Sequence, residues 1–277
     1  MALSAKEMKS LKQTAKELRQ DIVQTTVWAG GAHIGAALSI VEMLTIIYFK
    51  HAHLDSKNPQ WEDRDRIVVS KGHAGVGVAP TLAKVGFFDR ELLKDFNHFN
   101  SPFGMHLDSL KVPGLDASTG SLGHGLAQSV GMAWGSRFLK KDWKTYCILG
   151  DGECNEGSVW ESAMAAGHFK LNNLIAFVDR NGLMMDGTTE QVMKLEPLPD
   201  KFRAFGWNVH VVDGHDFNAL NDVIEAAWSQ KDRPTMVIAN TVKGKGVDFM
   251  ENEIKWHYGS MDSALADKAL ASIEASA

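Results

Sequence analysis

The stretch Gly150-Asp-Gly-Glu-Cys-Asn-Glu-Gly157 sets acids among bare glycines, directly after the apolar run 145–149 and ahead of the helix-like segment 158–169. Three chemistries suit a glycine-acid loop in that position, and all concern phosphate. A dinucleotide fingerprint needs a third glycine three residues after the second, where this chain has Asn155. A Walker loop needs lysine and then serine or threonine after its second glycine, but Gly157 is followed by Ser158-Val159. The surviving reading uses the acid to hold a cation. Asp151, at the end of a strand, suits a hard divalent ion such as Mg²⁺, which bridges carboxylate and phosphate oxygens in an octahedron at roughly 2.1 Å. A second oxygen ligand belongs on the neighbouring strand. Residues 153–180 leave room for one helix and one strand before Asn181 in Val178-Asp-Arg-Asn-Gly-Leu183.

Strands and helices must hold these groups in place. Short runs rich in β-branched residues at 66–70, 145–150, 173–179, 207–213 and 235–242 predict fully buried strands. Helix-like stretches lie between several of them: 158–169, a short one after Pro197, and 217–230. This alternation predicts an α/β fold, a parallel sheet flanked by helices on both faces, with ligands gathering where strand C-termini open into loops. Capping-box sequences at Ser4/Glu7, Ser39/Glu42 and Ser158/Glu161 mark three helix starts. Met8, Leu11, Ala15, Leu18 and Ile22 then predict an amphipathic opening helix. The irregular segment 94–121, with its Gly, Pro and His, is expected to be a functional loop and not a boundary, so residues 1–277 are expected to form a single domain.

Composition narrows the partners. A chain of 277 residues that is 44% hydrophobic and 23% charged can bury a large core. Its formal charge of -5, without a basic block, favours neither nucleic acid nor an anionic membrane. Two cysteines cannot build a disulfide framework and suit a reducing compartment. The N-terminus lacks a signal peptide's apolar core, and the apolar run 37–49 is too short for a bilayer and carries Glu42, so a cytoplasmic location is expected.

Gly-Asp-Gly followed at this distance by Asn is a signature of thiamine diphosphate enzymes, and the chain resembles the N-terminal, diphosphate-binding part of transketolase. The resemblance runs in order through 30–39, 65–74, 105–133, 150–183 and 241–257. It implies the thiamine diphosphate-binding fold and Mg²⁺ ligands from Asp151, Asn181 and the backbone carbonyl of Leu183. It further implies that Gly152 offers its backbone N–H to a phosphate, and that His73 and His257 contact the diphosphate. By the same resemblance His33, His106 and His257 act on substrate beside the thiazolium. The resemblance also implies that Gly120 holds the aminopyrimidine, that Leu122 touches the thiazolium and that Glu156 hydrogen-bonds across a dimer interface. His51, His53, His98, His168, His210 and His215 are read as structural. Ala32, Leu107, His124 and Tyr258 depart from the resembled pattern around the substrate channel.

In that family a glutamate that activates the cofactor's pyrimidine lies in a second domain, which the resemblance places beyond roughly residue 280. The expectation is therefore the N-terminal subunit of a two-component transketolase, paired with a C-terminal, pyrimidine-binding subunit in an α2β2 assembly and acting on sugars or sugar phosphates. Three alternatives remain open: a 1-deoxyxylulose-5-phosphate synthase-like subunit, a 2-oxoacid dehydrogenase α-type subunit, and a non-catalytic thiamine diphosphate-binding subunit.

Overall fold

The structure, a computed structural model, describes residues 2–276. Five parallel strands make its sheet: β1 (Arg66–Val69), β2 (Thr145–Gly150), β3 (Leu174–Arg180), β4 (Asn208–Asp213) and β5 (Thr235–Asn240). Their order across the sheet is β1-β2-β3-β5-β4. Side chains alternate between faces along each strand. Tyr146, Ile148, Phe177 and Val237 therefore join one core, while Cys147, Leu149, Val178 and Ile238 join another.

The first core is closed by α1 (Ala5–Trp28), α2 (Ile34–Leu38), α3 (Val41–Ile46) and α4 (Gly75–Val85). The second is closed by α5 (His124–Phe138) and α6 (Gly157–His168). Of the remaining helices, α7 (Thr189–Val192) is one turn past β3, α8 (Leu198–Ala204) joins the second core, and α9 (Phe217–Ser229) and α10 (Ser263–Ala275) join the first. The expected helices on both faces are thus present. Among the described residues no helix is long and apolar enough to cross a membrane.

Two sequence expectations change. The composition of β4 predicts full burial, but the strand pairs only with β5 at the sheet edge, and Val211 is exposed there. The capping box forms at Ser4/Glu7 but not at the other two sites. Ser39 instead donates to Ala36 O at 3.0 Å and to Asp179 Oδ2 at 2.7 Å, while Glu42 is held by Arg19 and His215. A buried carboxylate without partners costs more than a missing cap, so the tertiary partners win these side chains. α6 starts at Gly157, with Glu156 and not Ser158 as its N-cap residue.

Residues 96–123 contain neither helix nor strand, as the segment's composition predicts. They are nonetheless fastened to β1. Thr119 Oγ1 donates to Val69 O at 2.6 Å, and Ile67 N–H donates to Asp116 Oδ2 at 2.8 Å. The fit is so close that a Cβ on Gly72 would fall 1.3 Å from Thr119 O, which is why the turn after β1 needs glycine.

Candidate active site

In a parallel sheet the strands deliver their C-terminal loops to one edge. Here those loops carry Lys71-Gly-His73 after β1, Asp151-Gly152 after β2, Asn181-Gly-Leu183 after β3, and Lys243 after β5. Asp151 is buried. Its Oδ1 accepts Gly152 N–H at 2.8 Å, and its Oδ2 accepts Gly182 N–H at 2.6 Å and Arg180 Nη1 at 3.1 Å. Asn181 donates its amide to Asp179 Oδ2 at 2.8 Å, which turns its own Oδ1 towards Leu183 N–H at 3.1 Å. The Leu183 carbonyl accepts from Lys243 Nζ at 3.0 Å.

One carboxylate, one amide oxygen and one carbonyl oxygen therefore lie in a single hydrogen-bonded cluster, and two cations already press against it. That donor set fits Mg²⁺, which takes hard oxygens. Among the described residues no three His, Cys, Asp or Glu side chains are grouped so as to hold a metal. Burial, reinforced by the charge of Asp179, raises the Asp151 carboxyl above its usual range, and the Gly182 amide and Arg180 oppose the rise. Burial, with Lys71 adding to it, lowers the Lys243 ammonium to about 8. Lys243 Nζ also stands 3.0 Å from His257 Nδ1.

The hub behind the cluster is Asp179, fully buried at the end of β3. Lys71 Nζ, also buried, lies 2.6 Å from its Oδ2 and 2.6 Å from Ala36 O. Ser39 and Thr241 hydroxyls and the Asn181 amide complete its shell. Burial alone would raise the Asp179 carboxyl, yet Lys71 and the hydroxyl donors hold it below the usual carboxylate range. Glu153 plays the same part towards the loop before α5. It accepts Gly123 N–H at 2.8 Å, Gly150 N–H at 3.0 Å and the Ser70 hydroxyl, and so ties residues 120–123 to the loop of Asp151.

Four of the eleven histidines come together. The His33 ring lies 5.3 Å from His73, 6.1 Å from His106 and 5.5 Å from His257, and His73 stacks on His257 at 5.6 Å. Burial, with the charges of Lys71 and neighbouring imidazoles, pushes His73 down to about 2. Burial and then Lys243 bring His257 to about 4, and burial followed by His106 lowers His33. Each of these shifts favours the neutral ring. His33 Nδ1 is buried without a hydrogen-bond partner among the described residues, a donor or acceptor left free beside the cluster.

Gly120 abuts this group, since a Cβ there would lie 3.9 Å from the His106 side chain. A Cβ on Gly152 would meet the flexible Met184 side chain at 3.0 Å. Leu122 and Glu156 are exposed on the open side. Of the histidines read as structural, His215 is bound between Glu42 at 2.9 Å and Val242 N–H at 2.9 Å, and His98 reaches Trp28 O at 2.9 Å.

Sequence reasoning passes over Lys71, Glu153, Asp179, Arg180 and Lys243. A signal exists for two of them: Lys71 follows the strand Ile67-Val-Val-Ser70, and Asp179 closes Leu174-Ile-Ala-Phe-Val178. A charge set at the end of a buried strand needs a partner.

Comparison with known proteins identifies the family. Residues 8–273 match the family described as transketolase, thiamine diphosphate binding domain. A 6-deoxy-6-sulfo-D-fructose transketolase subunit of Clostridium sp. (strain MSTE9) is 39% identical over 95% of this chain and 96% of its own length. An apulose-4-phosphate transketolase subunit of Phocaeicola vulgatus is 39% identical over 91% of the chain and 90% of its own. The crystal structure of transketolase from Campylobacter jejuni superposes with a TM-score of 0.88 at 30% identity, covering 98% of this chain and 43% of that one.

Proposed function

Because the chain belongs to the family of transketolase thiamine diphosphate-binding domains, we propose that it is the N-terminal subunit of a two-component transketolase that moves a two-carbon ketol unit from a ketose to an aldose. The observation that carries this reading is that Lys243 Nζ joins the Leu183 carbonyl to His257 Nδ1, which sets the loops of Asp151, Asn181 and Leu183 beside the clustered histidines. Two similar proteins of nearly the same span are themselves named as transketolase subunits, which supports a partner chain. We read residues 1–277 as one diphosphate-binding unit, the partner as a C-terminal, pyrimidine-binding subunit, and the assembly as α2β2. Its two free, buried cysteines suit the cytoplasm. The two relatives are named for a sulfonated and a phosphorylated sugar, so the substrate class proposed is a ketose with a terminal anionic group.

Thiamine diphosphate, when bound, supplies an electron sink for a carbanion. This chain's residues do the rest of the work on its side of the site. Asp151, Asn181 and the Leu183 carbonyl hold Mg²⁺. Gly152 N–H, His73, His257 and the Lys243 ammonium meet the diphosphate, and Gly120 and Leu122 meet the rings. His33, His106 and His257 exchange protons with sugar hydroxyls, a transfer that imidazole nitrogens can make. Glu156 faces the partner.

A mixing experiment tests the reading. Ketose consumption that depends on an aldose is measured with this chain, with its partner, and with both, each with Mg²⁺ and thiamine diphosphate. Activity is expected only from the pair, and His33→Asn or His106→Asn should lower kcat/KM by about 100-fold or more. An assembled pair inactive on every ketose tried rejects the reading.

A further inference from the structure

Tyr258 lies between His257 and Gly259, and Gly259 exchanges both backbone hydrogen bonds with Ala32 at 2.9 Å each. That bridge fixes the backbone beside Tyr258 against the segment that carries His33. The Tyr258 ring meets His33 nearly edge-on, with centroids 5.1 Å apart and planes at 82°. His257 meets the same imidazole at 5.5 Å and 85°, so both rings lie against His33. A Cβ on Gly31 would stand 3.0 Å from the Tyr258 hydroxyl, and the bare glycine there makes room for the phenol. Tyr258 is nevertheless 50% exposed, while Trp256 two residues earlier is buried. A large aromatic fixed in place yet left half open adds little to the core. It does bound the space next to His33.

The other departures from the resembled pattern do not. Ala32 and Leu107 are buried in the main core, and His124 is exposed on the first turn of α5. Tyr258 is the one of the four with its ring against the histidine cluster.

We infer that Tyr258 is a specificity-determining wall of the substrate site, which restricts the length of the ketose beside His33 and offers its open ring face to the sugar's C–H groups. This inference rests on the transketolase reading above. On this inference shorter ketose phosphates are favoured over longer ones, because a fixed ring 5.1 Å from His33 leaves less room beside that imidazole.

The test uses the chain assembled with its partner subunit, and compares kcat/KM for ketose phosphates of five, six and seven carbons. Tyr258→Ala is expected to raise the seven-to-five-carbon ratio about tenfold or more, since even one methylene in a pocket is worth that much. Tyr258→Phe, which keeps the wall, is expected to keep the wild-type ratio. Calorimetry should give both variants the wild-type affinity for Mg²⁺-thiamine diphosphate. An unchanged ratio in Tyr258→Ala overturns the wall, as does an equal shift in Tyr258→Phe. Lost cofactor affinity in Tyr258→Ala reassigns the residue to the fold. A wild-type pair inactive on all these sugars instead rejects the transketolase reading itself.

Discussion

Asp151 divides its carboxylate between two backbone amides and one guanidinium, and burial makes that charge expensive to keep. A divalent ion would relieve it, and removing the carboxylate would weaken the hold on the ion that neutralises a diphosphate. Asp151→Ala and Asn181→Ala are therefore expected to weaken Mg²⁺-dependent thiamine diphosphate binding by more than about 100-fold, beyond what outer partners of a metal ligand cost. Titration calorimetry on the assembled protein checks this, and wild-type affinity in both variants would refute the assignment. His73 makes a different claim. Its pKa falls from 6.5 to about 2 on folding, through burial first and then Lys71 and its imidazole neighbours. Below pH 6.5 the unfolded chain takes up a proton that the folded chain refuses, so stability is full above 6.5 and falls as the pH drops towards 2. The slope for one such group is at most about 1.4 kcal/mol per pH unit. Melting temperatures at pH 7.5 and 5.5 should show a smaller acid loss in His73→Gln than in wild type. An equal loss would place the acid sensitivity elsewhere.

At the scale of elements, the site depends on strand ends locked to one another. The Lys71–Asp179 pair joins the turn after β1 to the end of β3, and Ala36 O and Ser39 bring in the end of α2. Asp179 in turn sets the Asn181 amide. Losing one partner of a buried pair leaves the other charged and unpaired. Lys71→Met is expected to cost about 3–5 kcal/mol in chemical denaturation, with much of it recovered in Lys71→Met/Asp179→Leu. A loss below about 1 kcal/mol in the single variant would show that the pair does not anchor these elements.

At the scale of the whole molecule, the outer faces of α5 and α6 are unusually apolar. Trp134, Phe138, Met164 and Phe169 are exposed, and Trp134 stacks on Phe169 at 5.4 Å. A Cβ on Gly131, Gly135 or Gly157 would meet nothing within 4 Å, so packing within this chain does not call for glycine there. The same helices begin at the site loops that carry Leu122 and Glu156. On the proposed assembly this face receives the partner subunit, and obligate interfaces bury on the order of 2,000 Å² or more. Trp134→Ser/Phe138→Ser should leave the isolated chain's stability within about 1 kcal/mol, each site costing about 0.5 kcal/mol or less. Sedimentation velocity should show weakened pairing, and undiminished assembly would move the interface elsewhere.

The five strands, several of the helices and the placing of Asp151 and Asn181 at neighbouring strand ends were legible in the sequence; α4, α5, α7 and α10 were not, and the four histidines were singled out only through the family resemblance. Periodicity and the distance from Gly152 to Asn181 are local signals that survive without coordinates. Only the tertiary structure decided that β4 is an edge strand, that Ser39 serves Asp179 and not a helix cap, and that Lys71 and Lys243 complete the cluster. Lys71 meets Asp179 across 108 residues and Lys243 meets the Leu183 carbonyl across 60. No local pattern records such contacts. They exist because the sheet brings distant strand ends to one edge, where a buried charge must find whichever partner the fold supplies.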